Sequence, residues 1–426
     1  MDATSPLAGI RVVEVTSIYS GPLAGLLLAE LGADVIKVES PSKPDLIRNA
    51  GGGPDAVTPV FYALNRGKRF VSIDATTETG RKLLVDLASS ADVFLHNIRP
   101  GKPEAIGIGY EELSAKNPRL IYTAISGLGL DGPDAHQPVF DYVVQARVGM
   151  VDYQRDTATG KASLISQVVV DKSSAFAAVQ AILAALFVRE RTGRGQRIDV
   201  PMLGVGLHFL WPDAMASYFS QLEPAVPTEN LPSHLPQMPA AGLLILATSD
   251  GGEIACSPTL PPFDGLAIAL DRPEWLVDER FAETPKRVLN FPAFQAELVE
   301  AAARFTAEDL LKRLTENGVP AGPVQRRRDV HRDHQVQHMD LLVERDPGFI
   351  GAVRQPRPMW QFGSTPARIT TSIGLTGQHT REVLRERGLS DSQIDALVAE
   401  GAIAEARTGT DTGAPAAKAS SLSGGS

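Results

Sequence analysis

Short runs of strand-forming residues alternate with helical runs through the first two hundred residues of the chain. The predicted strands cover residues 10–15, 34–39, 69–73, 92–97, 119–126 and 197–200. The predicted helices between them include residues 21–32, 79–89, 110–116 and 172–188. This alternation predicts βαβ units over a largely parallel sheet, so we expect a doubly wound, Rossmann-like α/β fold that binds its ligand at the carboxyl ends of the strands.

The chain has 426 residues, which is more than one hydrophobic core usually supports, so we expect two domains. Residues 1–222 form the first part of the large domain, and residues 223–240, with five prolines and no periodicity, form a linker. Residues 241–325 read as a smaller α+β domain that opens with a hairpin signal at residues 250–252. We expect residues 326–407 to return to the large domain and residues 408–426, poor in bulky side chains, to be a disordered tail.

Bulk composition excludes several classes of protein. A formal net charge of -9 argues against a general nucleic-acid binder, because such proteins carry a basic field that follows the phosphates. The single cysteine, Cys256, excludes an intrachain disulfide framework and a multi-cysteine metal site. The N-terminus has no basic region followed by an apolar core, and no run of about eighteen apolar residues occurs. We therefore expect a cytoplasmic protein without nucleic-acid or membrane partners.

Asp171 is a lone acid within apolar sequence. Residues 168–170 before it are valines, and residues 172–188 after it contain neither glycine nor proline. That stretch is apolar on nearly every face, which predicts a buried helix. We expect Asp171 at the N-cap, where its side chain accepts backbone N–H groups and the helix dipole favours the ionised form. The residue is then either a helix cap or an attacking nucleophile.

Two basic segments could bind an anionic ligand in this acidic chain. One contains Arg66, Lys68 and Arg69, and the other contains Arg99 and Lys102. Each segment is either a solvated turn or a local binding site.

Two further patterns resemble known motifs without meeting their structural requirements. Residues 127–132 read GLGLDG, but two prolines follow closely, so we expect no helix to open there and instead a mobile glycine-rich loop bordering a site. The spacing of His331, His334 and His338 matches no familiar zinc ligand set, which predicts a solvated surface segment and no metal site.

Six sequence blocks in a fixed order carry a resemblance to a known family. The blocks are residues 7–14 (LAGIRVVE), 31–39 (LGADVIKVE), 65–69 (NRGKR), 92–101 (DVFLHNIRPG), 191–196 (RTGRGQ) and 318–324 (GVPAGPV). With these blocks the chain resembles the class III CoA-transferase family, also called the CaiB/BaiF family and including formyl-CoA transferase, over residues 6–404. The resemblance implies an acyl-CoA:carboxylate CoA-transferase.

Family members are similar in using one aspartate at the start of the helix that precedes the TGxGQ block, and that position is Asp171 here. The implied route passes through an aspartyl mixed anhydride and an aspartyl-CoA thioester, with oxyanion donors from the helix start and the loop containing Gly127 and Gly129. Coenzyme A is a substrate on this route, and no tightly bound cofactor is required. By position, the CoA cleft would be lined by Ile18, Tyr19, Ser20, Arg66, Lys68, Arg69, Asn97, Ile98, Arg99, Lys102 and Ile106. The resemblance also implies an interlocked homodimer.

The alternatives depend on residues 136–142. We expect this segment, together with a few side chains of the small domain, to determine the choice of acceptor acid. The racemase branch of the family needs a proton-transferring histidine where Phe140 stands, and an apolar ring cannot move a proton. His136 lies nearby and keeps an α-methylacyl-CoA racemase or other CoA-ester isomerase open as a second hypothesis. The formyl-CoA transferase branch carries arginine and lysine about where Ala105 and Pro138 stand, so formyl or oxalate specificity is not expected. A non-catalytic CoA-binding protein is the third hypothesis.

Overall fold

The computed structural model describes residues 5–49, 57–156, 159–215, 243–258, 262–348 and 350–406. The strands are β1 Arg11–Val15, β2 Asp34–Glu39, β3 Arg69–Ile73, β4 Val93–His96, β5 Ile121–Ser126, β6 Arg197–Pro201, β7 Leu244–Ala247, β8 Glu253–Cys256, β9 Ala321–Pro323, β10 Leu342–Arg345, β11 Val353–Pro356 and β12 Ile403–Ala404. The predicted linker at residues 223–240 and the predicted tail at residues 408–426 lie outside the described residues.

Helices separate most of these strands. They are α1 Ser20–Glu30, α2 Pro59–Asn65, α3 Glu78–Ser89, α4 Lys102–Ala105, α5 Tyr110–Lys116, α6 Asp141–Arg147, α7 Met150–Tyr153, α8 Val169–Thr192, α9 Met202–Ala214, α10 Phe263–Ala269, α11 Thr284–Leu289, α12 Phe291–Ala302, α13 Ala307–Glu316, α14 His334–His338, α15 Thr380–Glu386 and α16 Asp391–Ala399. The predicted α/β alternation of the first two hundred residues is confirmed.

The central sheet has the strand order β12-β3-β2-β1-β4-β5-β6. Strands β1 to β6 are parallel, whereas β12 pairs with β3 in the antiparallel sense at one edge. The order reverses between β1 and β4, and in doubly wound sheets ligands bind outside the carboxyl ends of strands at such a switch point. A ligand site is therefore expected at the residues that follow β1 and β4.

Each face of this sheet carries its own hydrophobic core, because successive side chains of a strand point to opposite faces. Val12 packs with apolar residues of α1 and α8, while Val13 packs with those of α3, α5, α15 and α16. Helices thus cover both faces, which confirms the doubly wound prediction. The helices α15 and α16, together with β12, come from the predicted return segment, and the predicted capping box between Ser390 and Gln393 is present at the start of α16.

Helix α8 combines length with apolar composition. Among the described residues it is the one helix long and apolar enough to cross a membrane, and half of its most apolar window is buried within the protein. Core helices of soluble proteins meet the same criterion. The side chains of Ala178 and Ile182 lie against the central sheet, while Phe176 and Phe187 on the same helix are exposed.

Residues 243–258 and 262–325 contain a separate three-stranded sheet with the order β7-β8-β9. The predicted hairpin at residues 250–252 is confirmed by the antiparallel pairing of β7 with β8. Helices α10, α12 and α13 lie near their predicted positions and share one core with this sheet, centred on Trp275 and Phe294. The sequence did not predict the antiparallel pair of β10 and β11.

Candidate active site

A cavity of about 320 Å³ opens at the switch point of the central sheet. Its walls come from the segments after β1, β4 and β5, from the segment before α6, and from the start of α8 and α9. The lining residues are Ser17, Ile18, Tyr19, Ser20, Leu46, Asn97, Ile98, Arg99, Pro100, Ile125, Ser126, Gly127, Ala135, Gln137, Pro138, Val139, Phe140, Asp171 and Met202. A cavity of this size, with apolar walls and a few convergent polar groups, is suited to a small-molecule ligand.

The start of α8 differs from the sequence prediction. The helix begins at Val169 with Val168 as its N-cap residue, so the prediction that Asp171 is the N-cap is wrong and Asp171 lies in the first turn. The capping carboxylate comes from Asp141 on α6, whose Oδ2 accepts the backbone N–H of Val170 at 2.7 Å and that of Asp171 at 2.9 Å. Because this acid from another helix satisfies the first-turn donors, the valine run extends the helix without a cap of its own.

Two expectations about Asp171 are corrected by this geometry. The backbone donors expected to serve an oxyanion at the helix start are occupied by Asp141. The helix start was also expected to favour the charged form of Asp171. Instead, burial raises the pKa of Asp171 to about 6, the negative charge of Asp141 adds to the rise, and hydrogen bonds from the Ser20 hydroxyl and backbone N–H oppose it. Asp171 is only 8% exposed, so its carboxylate is still mostly ionised near pH 7 but poorly solvated.

The arrangement is a buried carboxylate at the end of a parallel sheet, with hydrogen-bond donors on one side and an open cavity on the other. The family model described as CoA-transferase family III matches residues 7–380. The chain belongs to CoA-transferase family III. It is therefore a class III CoA-transferase by family, an enzyme class whose substrates are CoA thioesters.

Individual relatives agree with this placement. The chain is 33% identical to the probable fatty acyl-CoA transferase Rv3272 of Mycobacterium tuberculosis, covering 88% of this chain and 96% of the relative. It is also 33% identical to the succinate–glutarate CoA-transferase of Agrobacterium fabrum, covering 89% of this chain and 95% of the relative. The crystal structure of a CAIB/BAIF family protein from Brucella suis superposes with a TM-score of 0.75 at 32% identity, covering 90% of this chain and 99% of that one.

Eight of the residues predicted for this transferase site line the cavity together with Asp171. They are Ile18, Tyr19, Ser20, Asn97, Ile98, Arg99, Gly127 and Phe140. They come from three connections, β1–α1, β4–α4 and β5–α6, which the parallel sheet brings to one edge. Phe140 and Arg99 are exposed at this cavity, whereas Ser20 is buried beside Asp171.

Six other predicted residues do not line the cavity: Arg66, Lys68, Arg69, Lys102, Ile106 and Gly129. Lys102 is exposed at the first position of α4, directly after the loop that carries Arg99, and Ile106 packs at the end of that helix. Gly129 lies in the glycine-rich loop with a φ of 106°. The assignment of the other five to CoA binding and of Gly129 to the oxyanion loop stays a prediction.

The first basic segment is engaged with carboxylates. Arg66 donates to Glu30 Oε1 at 2.6 Å, and Lys68 Nζ lies 2.8 Å from Glu14 Oε2. Arg69 pairs with Asp34 at 2.6 Å. Burial lowers the pKa of Lys68 to about 8, and the charge of Glu14 opposes that shift. These contacts give the segment a structural role in the large α/β region.

The glycine pattern takes the form that the sequence predicts, and two of the three histidines are exposed on the surface. No helix begins between Gly127 and Phe140, so the glycine motif does not present a helix N-terminus to a dinucleotide. His334 and His338 are exposed on α14. Over the part of the chain that the structure describes, no group of three or more His, Cys, Asp or Glu side chains could hold a metal ion.

Asp141 is the functional residue that sequence reasoning missed. Its carboxylate caps α8, and its Oδ1 accepts a hydrogen bond from Gln145 one helical turn later. The available signal was the spacing of Asp141 and Gln145, four residues apart and therefore on one helix face. Residues 137–140, just before Asp141, line the cavity, and their role in acceptor choice stays a prediction.

Proposed function

We propose that this enzyme moves CoA from an acyl-CoA donor to a second carboxylic acid, with Asp171 as the attacking group. The observation that carries the proposal is the setting of Asp171, buried at the wall of the cavity with two donors from Ser20 and no ion pair among the described residues. A desolvated carboxylate is a stronger nucleophile than a hydrated one because less solvation is lost on attack.

The proposed first half-reaction transfers CoA from the acyl group to the side chain of Asp171. An oxygen of Asp171 attacks the thioester carbonyl, the C–S bond breaks, and CoA leaves as a thiolate beside a mixed anhydride. The thiolate then attacks the side-chain carbonyl of Asp171, releasing the first carboxylate and leaving an aspartyl-CoA thioester. Charge, atoms and electrons balance without an external oxidant or reductant.

The second half-reaction reverses these steps with the acceptor. The acceptor carboxylate attacks the aspartyl thioester, which restores a mixed anhydride and frees the CoA thiolate. Attack of that thiolate on the acceptor's acyl carbon gives the new CoA ester and regenerates the carboxylate of Asp171. Hydrogen bonding from Ser20 can stabilise the negative charge that develops on an Asp171 oxygen when the side-chain carbonyl is attacked and when the carboxylate is released.

Exposed positive charges at this end of the sheet support a position for the CoA phosphates. Arg99 lines the cavity, and Lys102 is exposed one turn further along the chain. Guanidinium and ammonium groups suit the phosphates of CoA as a fork and a point charge. The thioester would then lie deeper, between Ser20 and Asp171.

The direct test compares Asp171→Asn and Asp171→Ala with the parent enzyme in a donor and acceptor screen read by mass spectrometry of the CoA products. Both variants should lose transfer by on the order of 10³-fold or more, because covalent catalysis has no substitute group in the cavity. Hydroxylamine added with the acyl donor should modify Asp171 and no other acid. Full transfer by either variant, or trapping elsewhere, would rule out the proposed nucleophile.

The screen also separates the remaining hypotheses. Relatives are named for succinate with glutarate and for oxalate, so dicarboxylates belong in the first set of acceptors, together with apolar acids. Exchange of the α-hydrogen with solvent deuterium in the absence of an acceptor would instead indicate an isomerase. His136, the residue that kept that hypothesis open, is exposed and is not among the cavity-lining residues.

A homodimer completes the proposal. Helices α8 and α9 pack together and expose large apolar side chains: Phe176, Leu183, Phe187, Leu207, Phe209 and Trp211. Large exposed apolar side chains concentrated on two packed helices are typical of a surface that a partner covers. Light scattering after size exclusion should give twice the chain mass, and a monomer at micromolar concentration would oppose the proposal.

A further inference from the structure

The segment that connects β1 to α1 forms one wall of the cavity and contains an unusual backbone conformation. Ile18 has a φ of 72°. This left-handed region is unfavourable for a β-branched residue, whose side chain crowds its own backbone there. Such a conformation persists only when surrounding contacts hold it.

Three side chains hold this segment by its backbone. Lys37 Nζ donates to the carbonyl of Thr16 at 2.8 Å. Asn97 brackets Ser17, accepting its N–H at 3.0 Å and donating to its carbonyl at 2.8 Å. The Ile18 N–H donates to Asp45 Oδ1 at 2.9 Å, so the strained residue itself is held by Asp45.

Asp45 is fixed from several directions. It is 3% exposed, its Oδ2 lies 3.0 Å from Lys37 Nζ, and its Oδ1 also accepts the N–H of Ile47 at 3.2 Å. A carboxylate restrained in this way can define the position of the backbone that donates to it. Two residues beyond Ile18, Ser20 lines the cavity together with Asp171, and hydrogen bonding from its hydroxyl and backbone N–H lowers the pKa of that carboxyl.

We infer that Asp45 is a positioning residue, which holds Ile18 in the left-handed conformation and thereby places the Ser20 donors against the carboxylate of Asp171. The inference deepens the proposed function, on which its catalytic part rests. A role limited to neutralising Lys37 would have different consequences, because that role requires the charge of Asp45 but not its hydrogen bond to Ile18.

Two substitutions of Asp45 separate these roles. Asp45→Asn removes the charge but retains an oxygen that can accept the Ile18 N–H, and kcat should remain within about fivefold of the parent value. Asp45→Ala removes the acceptor, and kcat should fall on the order of 10²-fold through misplacement of the Ser20 donors. Equal loss in both variants would overturn the positioning role.

A rescue experiment tests the strained residue directly. Glycine adopts a positive φ without steric cost, so Ile18→Gly placed in the Asp45→Ala background should restore kcat by about tenfold. The matched control, Ile18→Ala in the same background, removes every side-chain atom beyond Cβ but keeps the Cβ that disfavours a positive φ, and it should restore clearly less. Equal rescue by both would show that side-chain size, not backbone conformation, is the cause.

A second readout does not depend on CoA transfer. Carbodiimides react with protonated carboxyl groups, so the pH midpoint of Asp171 labelling, measured by peptide mass spectrometry, reports its pKa. If the Ser20 donors are misplaced in Asp45→Ala, they no longer oppose the effects of burial and of the Asp141 charge on the pKa of Asp171. The labelling midpoint should therefore rise in Asp45→Ala. Adding Ile18→Gly to that variant should return the midpoint toward the parent value. An unchanged midpoint would overturn the inference.

The two readouts keep the proposals separate. A parent enzyme that transfers no CoA, but whose labelling midpoint responds to these variants, would refute the proposed function and leave the positioning role intact. Asp45→Ala leaves Lys37 without one of its partners, and this loss could prevent folding. In that case the double variant Lys37→Met with Asp45→Ala removes both charges of this buried pair. Ile18→Gly and Ile18→Ala are then compared in that background.

Discussion

Glu14 on β1 and Asp171 at the start of α8 are both buried carboxylates in the same α/β fold, but their surroundings are opposite. Glu14 lies 3.1 Å from Lys37 Nζ and 2.8 Å from Lys68 Nζ, within an ion-paired cluster completed by Asp45. Asp171 has another acid, Asp141, as its charged neighbour. The cluster neutralises its charges inside the protein, whereas the cavity retains a charge that burial disfavours.

The difference shows how one sheet supports both stability and reactivity. Glu14 and Lys37 are direct partners in the register of β1 and β2, so the parallel pairing itself brings opposite charges together. A glycine at position 25 lets α1 approach this cluster, since a Cβ there would collide with the Glu14 carboxylate. At the cavity, helix starts and loops converge instead, and no cation among the described residues is paired with Asp171.

The largest expected effect comes from opening the ion-paired cluster. Lys68→Met should lower the free energy of unfolding by about 3–5 kcal/mol, because it removes one partner of a buried ion pair. The matched control is Lys82→Met on α3, where the pair with Glu78 is 73% exposed on both sides and a change within about 0.5 kcal/mol is expected. Urea unfolding measures the change in free energy for both variants. Similar changes would show that the buried ion pair contributes no more to stability than the exposed one.

At the cavity, removing a buried charge should raise the free energy of unfolding instead of lowering it. The pKa of Asp171 rises from 3.8 to about 6 on folding, so the folded state binds more protons between these values and the free energy of unfolding falls as pH rises through that window. Asp171→Asn should therefore stabilise the protein by about 1–3 kcal/mol at pH 7.5, and the gain should vanish toward pH 4.

Urea titrations of Asp171→Asn at several pH values provide the measurement. The control is Asp86→Asn at an exposed site, where a change within about 0.5 kcal/mol is expected at every pH. A destabilising effect of Asp171→Asn at pH 7.5 would show that the buried charge is compensated by groups beyond Ser20.

A smaller effect should follow from the acid pair itself. Asp141→Asn removes the like charge but retains an oxygen for the N–H groups of Val170 and Asp171, so the pKa of Asp171 should fall. The acid limb of kcat/KM should move to lower pH by less than about one unit, because burial is the larger cause of the shift. Asp141→Ala also removes the cap and should cost about 1–2 kcal/mol of stability. A limb that moves to higher pH in Asp141→Asn would contradict this account.

The smallest effect concerns the exposed charge at the cavity. Arg99→Met should raise the KM for acyl-CoA about fivefold and leave kcat and stability nearly unchanged, as expected for a solvent-exposed phosphate contact. Arg119→Met, equally exposed but outside the cavity lining, is the control and should leave KM unchanged. A stability loss in Arg99→Met comparable to that of Lys68→Met would erase the distinction between the two regions.

Much of the fold was predictable because local patterns are decided by neighbouring residues. β-branched runs and helical spacing predicted β2, β3 and α5 at the bounds that the structure has. The hairpin at residues 250–252 and the capping box at Ser390 likewise depend on four or five consecutive residues. The antiparallel pair of β10 and β11 was missed because its short, polar strands lack such a signal.

The sequence by itself determined the α/β alternation, the parallel sheet and the identity of Asp171 as the acid of interest. Tertiary structure decided the roles of the charges. Arg66 and Arg99 look alike in sequence, but one meets Glu30 and the other lines the cavity. Likewise Asp171, expected to cap α8, is itself capped by Asp141 from 30 residues away. Burial and electrostatic neighbours depend on contacts between distant segments, and no local pattern encodes them.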